Sequence, residues 1–359
     1  MKFVVLWMAA ALAAQGPENF DSLVQRADAA RDARQVDKAV SLYQQALHLK
    51  PDWRQGWWVL GSVLYDAGRY TEGEQAFLPL TTLDEDKSAG WAMAGLCEFE
   101  IRHYQDAFSH LEKAEKLGLP QSLYDVAEYH LELILIRSGQ FERAMERLSR
   151  VAAQKAENPK QVEAMGIAAL RMAILPGDLP PADQDLVMAL GRAMCDAAAS
   201  HTKEANAQFA ALLVQYPKRP ELHYLAGQVL LESDPDRALV AFHQELVLSP
   251  RHVQTMISMA NEYVKRNEFE TAFPYARKAV ESQPQYFAAH AMLGKVLVEG
   301  GLDLAGGIKE LETAVELAPG NPQSRLALAS AYLKAGRKAE AAKERAQFLR
   351  LRTEIDAAR

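Results

Sequence analysis

The sequence predicts an all-α protein: a solenoid of about nine helix–turn–helix units. Three observations predict it. Pro217, Pro250, Pro284 and Pro319 lie 33, 34 and 35 residues apart, and a fixed period in the thirties marks a repeat array. Twelve residues before each of these prolines stands a small residue, and the same frame lands on a small residue in units without the proline. Four residues after it a large apolar residue usually follows, so small and large share one helix face.

The units start near 20, 54, 88, 125, 186, 220, 253, 287 and 322. The small position of the second helix is Ala39, Gly73, Ala107, Ala144, Ala205, Ala238, Ala272, Gly307 and Ala341 in turn. Its large partner is Tyr43, Phe77, Leu111, Leu148, Phe209, Phe242 or Leu311; Ala276 and Arg345 depart from the pattern. The first helix carries its own small residue at Ala27, Gly61, Gly95, Ala193, Gly227, Ala260, Gly294 and Ala329, with Glu132 the exception. Two antiparallel helices approach closely only where both are small, and the large residue one turn away fills the gap between neighbours. Gly68, Gly139 and Gly336 follow first helices, where a left-handed cap is needed. The proline disfavours helix at the residue before it, so each second helix stops in the same place.

The stretch "WWVLGSVLYDAGRYTEGEQAF" (57–77), with Trp57 and Trp91 34 residues apart, resembles the tetratricopeptide repeat. The resemblance covers roughly 20–158 and 183–355. It implies a right-handed superhelix whose concave surface, lined by first helices, binds partners. Carried onto this chain, the family's groove positions in the N-terminal half are Trp58, Tyr65, Phe99, Tyr129, Leu133 and Ile136. That lining suits an amphipathic helix or an apolar extended segment, unless these residues pack internally. In the C-terminal half the positions are Tyr224, Gln228, Asn261, Lys265, Lys295, Ser330 and Lys334, which suit peptide amides and carboxylates, unless the face is simply solvated. Some members grip a C-terminal carboxylate with a Lys/Asn/Arg clamp; here only Asn261 matches, and Ile257 stands where the Lys belongs.

One stretch leaves the frame. Residues 159–186 contain Val162, Met165, Gly166 and Ala169 spaced like a first helix, followed by Pro176, Gly177, Pro180 and Pro181. The expectation is an unpaired helix and a break: an N-terminal array with that helix over 14–175, a Pro-rich break at 176–182, and a C-terminal array over 183–359. The last helix, about 338–356, is rich in Lys and Arg and reads as the polar cap of the array.

Composition and motifs narrow the function. The chain is 24% charged with a net charge of −7, which argues against general nucleic-acid binding. Lys2, an apolar run over 3–12 and Ala11-Leu12-Ala13 form a signal-peptide pattern over 1–13, too short for a stable membrane span. A periplasmic or secreted protein without a membrane span in its mature form is expected. The two cysteines, Cys97 and Cys195, fall in distant units and are read as buried thiols. No His, Cys or carboxylate spacing fits a metal site, no cofactor motif is present, and no nucleophile motif occurs, so an enzyme is not expected. The preferred reading is an exported adaptor that binds a protein or peptide segment in its groove. A structural subunit of a cell-envelope assembly (pilus, secretion or outer-membrane complex) is the alternative, and an enzyme a more remote one. The sequence names neither the partner nor the oligomeric state.

Overall fold

A computed structural model describes residues 19–83, 87–154 and 158–357; the expected signal peptide at 1–13 lies outside them. Among the described residues there are 19 α-helices and no strand. They fall into two units, Met1–Gln140 and Phe141–Arg359.

The first unit holds α1 (Phe20–Asp32), α2 (Val36–Leu49), α3 (Arg54–Asp66), α4 (Tyr70–Leu83), α5 (Ser88–Glu100), α6 (Tyr104–Lys116) and α7 (Gln121–Arg137). Each odd helix packs against the even helix after it through α6, and each hairpin packs on the next helix. The small-to-large rule explains the close approach. A Cβ on Gly61 of α3 would lie 2.7 Å from the ring of Phe77 on α4, which is fully buried. First helices end as the sequence requires. Gly68 has φ 71°, its N–H reaches the carbonyl of Tyr65, and Arg69 N–H reaches that of Leu64.

One buried carboxylate of this unit is paired across helices. His110 of α6 places Nδ1 2.8 Å and 2.9 Å from the two oxygens of Glu98, a buried carboxylate on α5, with the Trp91 ring 5.2 Å away. That hydrogen bond raises the His110 pKa against the opposing effect of burial; Glu98, Asp106 and Glu74 add to the rise. A raised folded-state pKa stabilises fully below the unfolded value of about 6.5, and the gain is lost as pH rises through the folded value. His110→Gln is therefore expected to lower thermal stability more at about pH 6 than at about pH 9. An equal loss at both would mean that the imidazole contributes by packing alone.

The second unit holds α8 (Phe141–Gln154), α9 (Pro159–Ala169), α10 (Gln184–Ala198), α11 (Thr202–Gln215), α12 (Leu222–Leu230), α13 (Pro235–Leu248), α14 (Val253–Lys265), α15 (Phe269–Ser282), α16 (Phe287–Glu299), α17 (Leu304–Leu317), α18 (Pro322–Lys334) and α19 (Lys338–Ala357). From α10 to α19 the helices pair as hairpins. The prolines end second helices as expected: Tyr216, Ser249, Gln283 and Ala318 all leave the helical region just before Pro217, Pro250, Pro284 and Pro319.

The stretch over 159–186 differs from the expectation. α9 does not stand unpaired but packs closely along α10. Gly166 of α9 lies against the backbone of Val187, and Gly191 of α10 against the backbone of Val162; a Cβ at either would overlap the facing carbonyl oxygen. Val162 and Val187 are buried in the same contact. The Pro-rich segment forms two short 3-10 turns, Pro176–Asp178 and Pro181–Asp183, that connect the partners. α9 also ends like a first helix: Arg171 has φ 54° and its N–H reaches the carbonyl of Ala168. The contacts divide the chain at residue 140, not within 176–182.

Candidate functional site

First helices of consecutive hairpins pack on one another: α5 on α7, α14 on α16, and α16 on α18. Among the described residues, no comparably packed pair of second helices occurs from α11 to α19, or among α2, α4 and α6. The layer in which neighbours touch is the compressed, inner side of each stack, so the first helices present the inner face.

In the first unit this face is aromatic but largely spoken for. Trp58 is half-buried, edge-on to Phe77 with ring centroids 5.6 Å apart. Tyr65 is edge-on to Tyr70 at 5.3 Å, and burial pushes its hydroxyl up to about 12. Phe99 is buried between Tyr104 at 5.5 Å and His130 at 4.6 Å. Tyr129 is half-buried with its ring 6.0 Å from that of His130. Leu133 and Ile136, expected to line the groove, are buried in the core. Both sit on α7 among the buried Leu131, Ile134 and Leu135, where they cannot meet a partner.

In the second unit the same positions form a polar ladder. Gln228 of α12 donates to Ser258 Oγ of α14 at 2.7 Å. Lys295 of α16 donates to Asn261 Oδ1 of α14 at 3.5 Å. Lys334 of α18 donates to the carbonyl of Val298 at the end of α16, at 3.1 Å. Lys265 lies 3.5 Å from Glu262 on its own helix, and Ser330 bonds back to the carbonyl of Leu326. Lys295 and Lys334 are without a carboxylate partner among the described residues.

Tyr224 opens the ladder. Its ring lies 6.1 Å from Phe242 and 4.9 Å from His252, and burial pushes its hydroxyl up to about 12. The turn beneath it is held by charge. Glu221, with φ 76°, precedes α12, and the buried Glu245 of α13 accepts from the N–H groups of Glu221 and Tyr224 at 3.1 Å and 3.3 Å. A carboxylate there favourably meets the helix N-terminus. His252 Nδ1 accepts from Thr255 N–H at 3.1 Å, which leaves Nε2–H to donate to Glu221 at 3.1 Å.

Two features of this face escaped the sequence reading. Leu326 and Leu333 are 43% and 57% exposed on α18, two turns apart and flanking Ser330. Their i, i+7 spacing along a first helix, on either side of Ser330, is the available signal. The other is the contact of Glu142 with Gln254, 112 residues apart, for which no local signal exists; Arg171 donates to the same carboxylate.

Among the described residues no group of three or more His, Cys, Asp or Glu is disposed to hold a metal ion. No helix among them is long and apolar enough to cross a membrane. Cys97 is buried, and burial pushes its thiol up to about 12, so it is a poor nucleophile; Cys195 is half-buried.

Comparison with known proteins gives one family model, the tetratricopeptide repeat, matching at residues 8–52, 24–86 and 301–349. Among solved structures, the chain is similar to MamA 41-end from Desulfovibrio magneticus RS-1, at 21% identity over 47% of this chain and 96% of that one, with a TM-score of 0.42. A crystal structure of MamA is similar at 17% identity over 46% of this chain and 96% of that one, with a TM-score of 0.41. No curated protein matches the chain.

Proposed function

We propose that this chain, which matches the tetratricopeptide-repeat model over residues 8–52, 24–86 and 301–349, is a protein-interaction scaffold, an exported adaptor whose second unit holds a partner's extended segment along its inner face. One observation carries the reading: the ladder from Tyr224 and Gln228 through Asn261 and Lys295 to Lys334, built on successive first helices, with Gln228, Asn261 and Lys295 at one equivalent position. Amide and hydroxyl groups on such a ladder suit a peptide backbone. The ammonium groups of Lys295 and Lys334 suit carboxylates. Leu326 and Leu333 add exposed apolar surface at the same end. The segment is accordingly one that carries both acidic and apolar side chains. The aromatic face of the first unit offers less, because Phe99, Leu133 and Ile136 are used internally.

Export rests on Lys2, the apolar run over 3–12 and Ala11-Leu12-Ala13. The test of the adaptor reading is charge reversal. Lys295→Glu with Lys334→Glu is expected to abolish co-purification of the partner from the periplasmic or secreted fraction while leaving the melting temperature in place. Undiminished capture by that variant overturns the reading.

A further inference from the structure

The inner face of the second unit is met by residues from its own opening helices. Glu142, in the first turn of α8, accepts on one carboxylate oxygen from Arg171 Nη1 at 2.7 Å and from Gln254 Nε2 at 3.3 Å. Arg171 closes α9, and its guanidinium also lies 5.2 Å from the Phe141 ring centre. Gln254 belongs to the first turn of α14, one of the first helices that present the inner face. The contact therefore ties α8 and α9 to the wall on which a segment would lie. Tyr224 and Tyr286 sit close enough to feel it: the charge of Glu142 acts on both hydroxyls, and that of Arg171 on Tyr286.

The tie is slender. Among the described residues, Gln254 to Glu142 is the one hydrogen bond that joins α8 or α9 to α14. The groups that make it are open to water, Glu142 being 50% and Arg171 30% exposed. Water can replace the Gln254 amide at little cost. By contrast, α8 is packed on α9 and α10, and α9 on α10 through the paired glycines. An opening at this point thus moves α8 with α9 and α10 against the wall formed by α14 and α16, the motion being taken up in the packing of α10 on α11 and of α11 on α12.

We propose that the Glu142–Gln254 contact is an autoinhibitory latch: closed, it shuts the end of the inner face at Tyr224 and Gln228, and a partner segment enters fully only when it opens. This inference rests on the reading of that face as the binding surface, and it adds regulation to it. The carboxylate side chain of an incoming acidic segment has the same chemistry as Glu142. It competes for Arg171 and Gln254, so the partner itself can release the latch.

The test uses the full chain. Spin labels are placed on cysteines at Glu146 of α8 and Gln285 before α16, both exposed, with Cys195 replaced by Ser. Pulsed electron resonance then gives the distance between them. The latched protein is expected to show one dominant distance. Gln254→Ala and, separately, Glu142→Ala are expected to add a longer one, raising the open-to-closed ratio about fivefold to tenfold, as loss of one hydrogen bond predicts. Both side chains are accessible, so neither change endangers the fold. An unchanged distribution in both variants overturns the latch. The distances need no partner, so that result would leave the binding reading intact. Conversely, loss of partner binding on charge reversal with unaltered distances would bear on the inner face and not on the latch.

Discussion

Gly191→Ala is expected to destabilise the second unit by about 2–3 kcal/mol, although alanine is the better helix former by about 1 kcal/mol. The sign is what matters. Gly191 lies within α10, and an added Cβ there would overlap the carbonyl oxygen of Val162 on α9. The oxygen belongs to backbone, so no side chain can swing aside. The helices must separate, which loosens Val162, Met165, Val187 and Leu190, all at most 1% exposed. Gly166→Ala should act alike, because its Cβ would overlap the carbonyl of Val187. The two substitutions share one interface, so their effects should fall short of additive. Gly177→Ala is the control: nothing lies within 4 Å of a Cβ there, and a change within about 0.5 kcal/mol is expected. Chemical denaturation followed by circular dichroism measures all three. Stabilisation by Gly191→Ala would mean that α9 does not pack on α10 in solution.

Lys295→Glu combined with Lys334→Glu is expected to weaken partner binding by about 3 kcal/mol, on the order of 100-fold. The two ammonium groups lie on successive first helices and hold only neutral acceptors, Asn261 Oδ1 at 3.5 Å and the carbonyl of Val298 at 3.1 Å. Reversal removes two attractions to the partner's carboxylates and places two like charges against them. The fold should tolerate it, since each lysine gives up a single hydrogen bond, worth about 1 kcal/mol or less. Raising the salt concentration should weaken binding to the parent more than to the variant. A variant that binds as the parent does would move the interface away from this end of the ladder.

The hairpins were legible because their determinants are local. Pro250, Pro284 and Pro319 stop helices at the next residue upstream, and Gly61 with Phe77 declares a close approach within one unit. The pairing of α9 with α10 is hidden by the fixed period, within which Pro176 to Pro181 reads as an ending. A signal was present: Val162 with Gly166, and Val187 with Gly191, repeat the same four-residue spacing on the two facing helices. The inner face was partly legible. Gln228, Asn261, Lys295 and Lys334 do fall in line, whereas Leu133 and Ile136 occupy groove positions by count and core positions by burial. Repeat position alone does not tell these apart; it depends on which neighbours cover the helix. The meeting of Glu142 with Gln254 depends on how successive hairpins rotate, which no short stretch of sequence encodes.

The central claim, that partners lie on the inner face of the second unit, is tested most directly by site-specific photo-cross-linking in the native cell. A photoreactive amino acid is placed at Ser330, on the inner face of α18, and in a second variant at Val247, 72% exposed on the second helix α13. The account predicts a discrete protein adduct from position 330, absent when Lys295→Glu and Lys334→Glu are also present, and none from position 247. An adduct from 247 with none from 330 would contradict it.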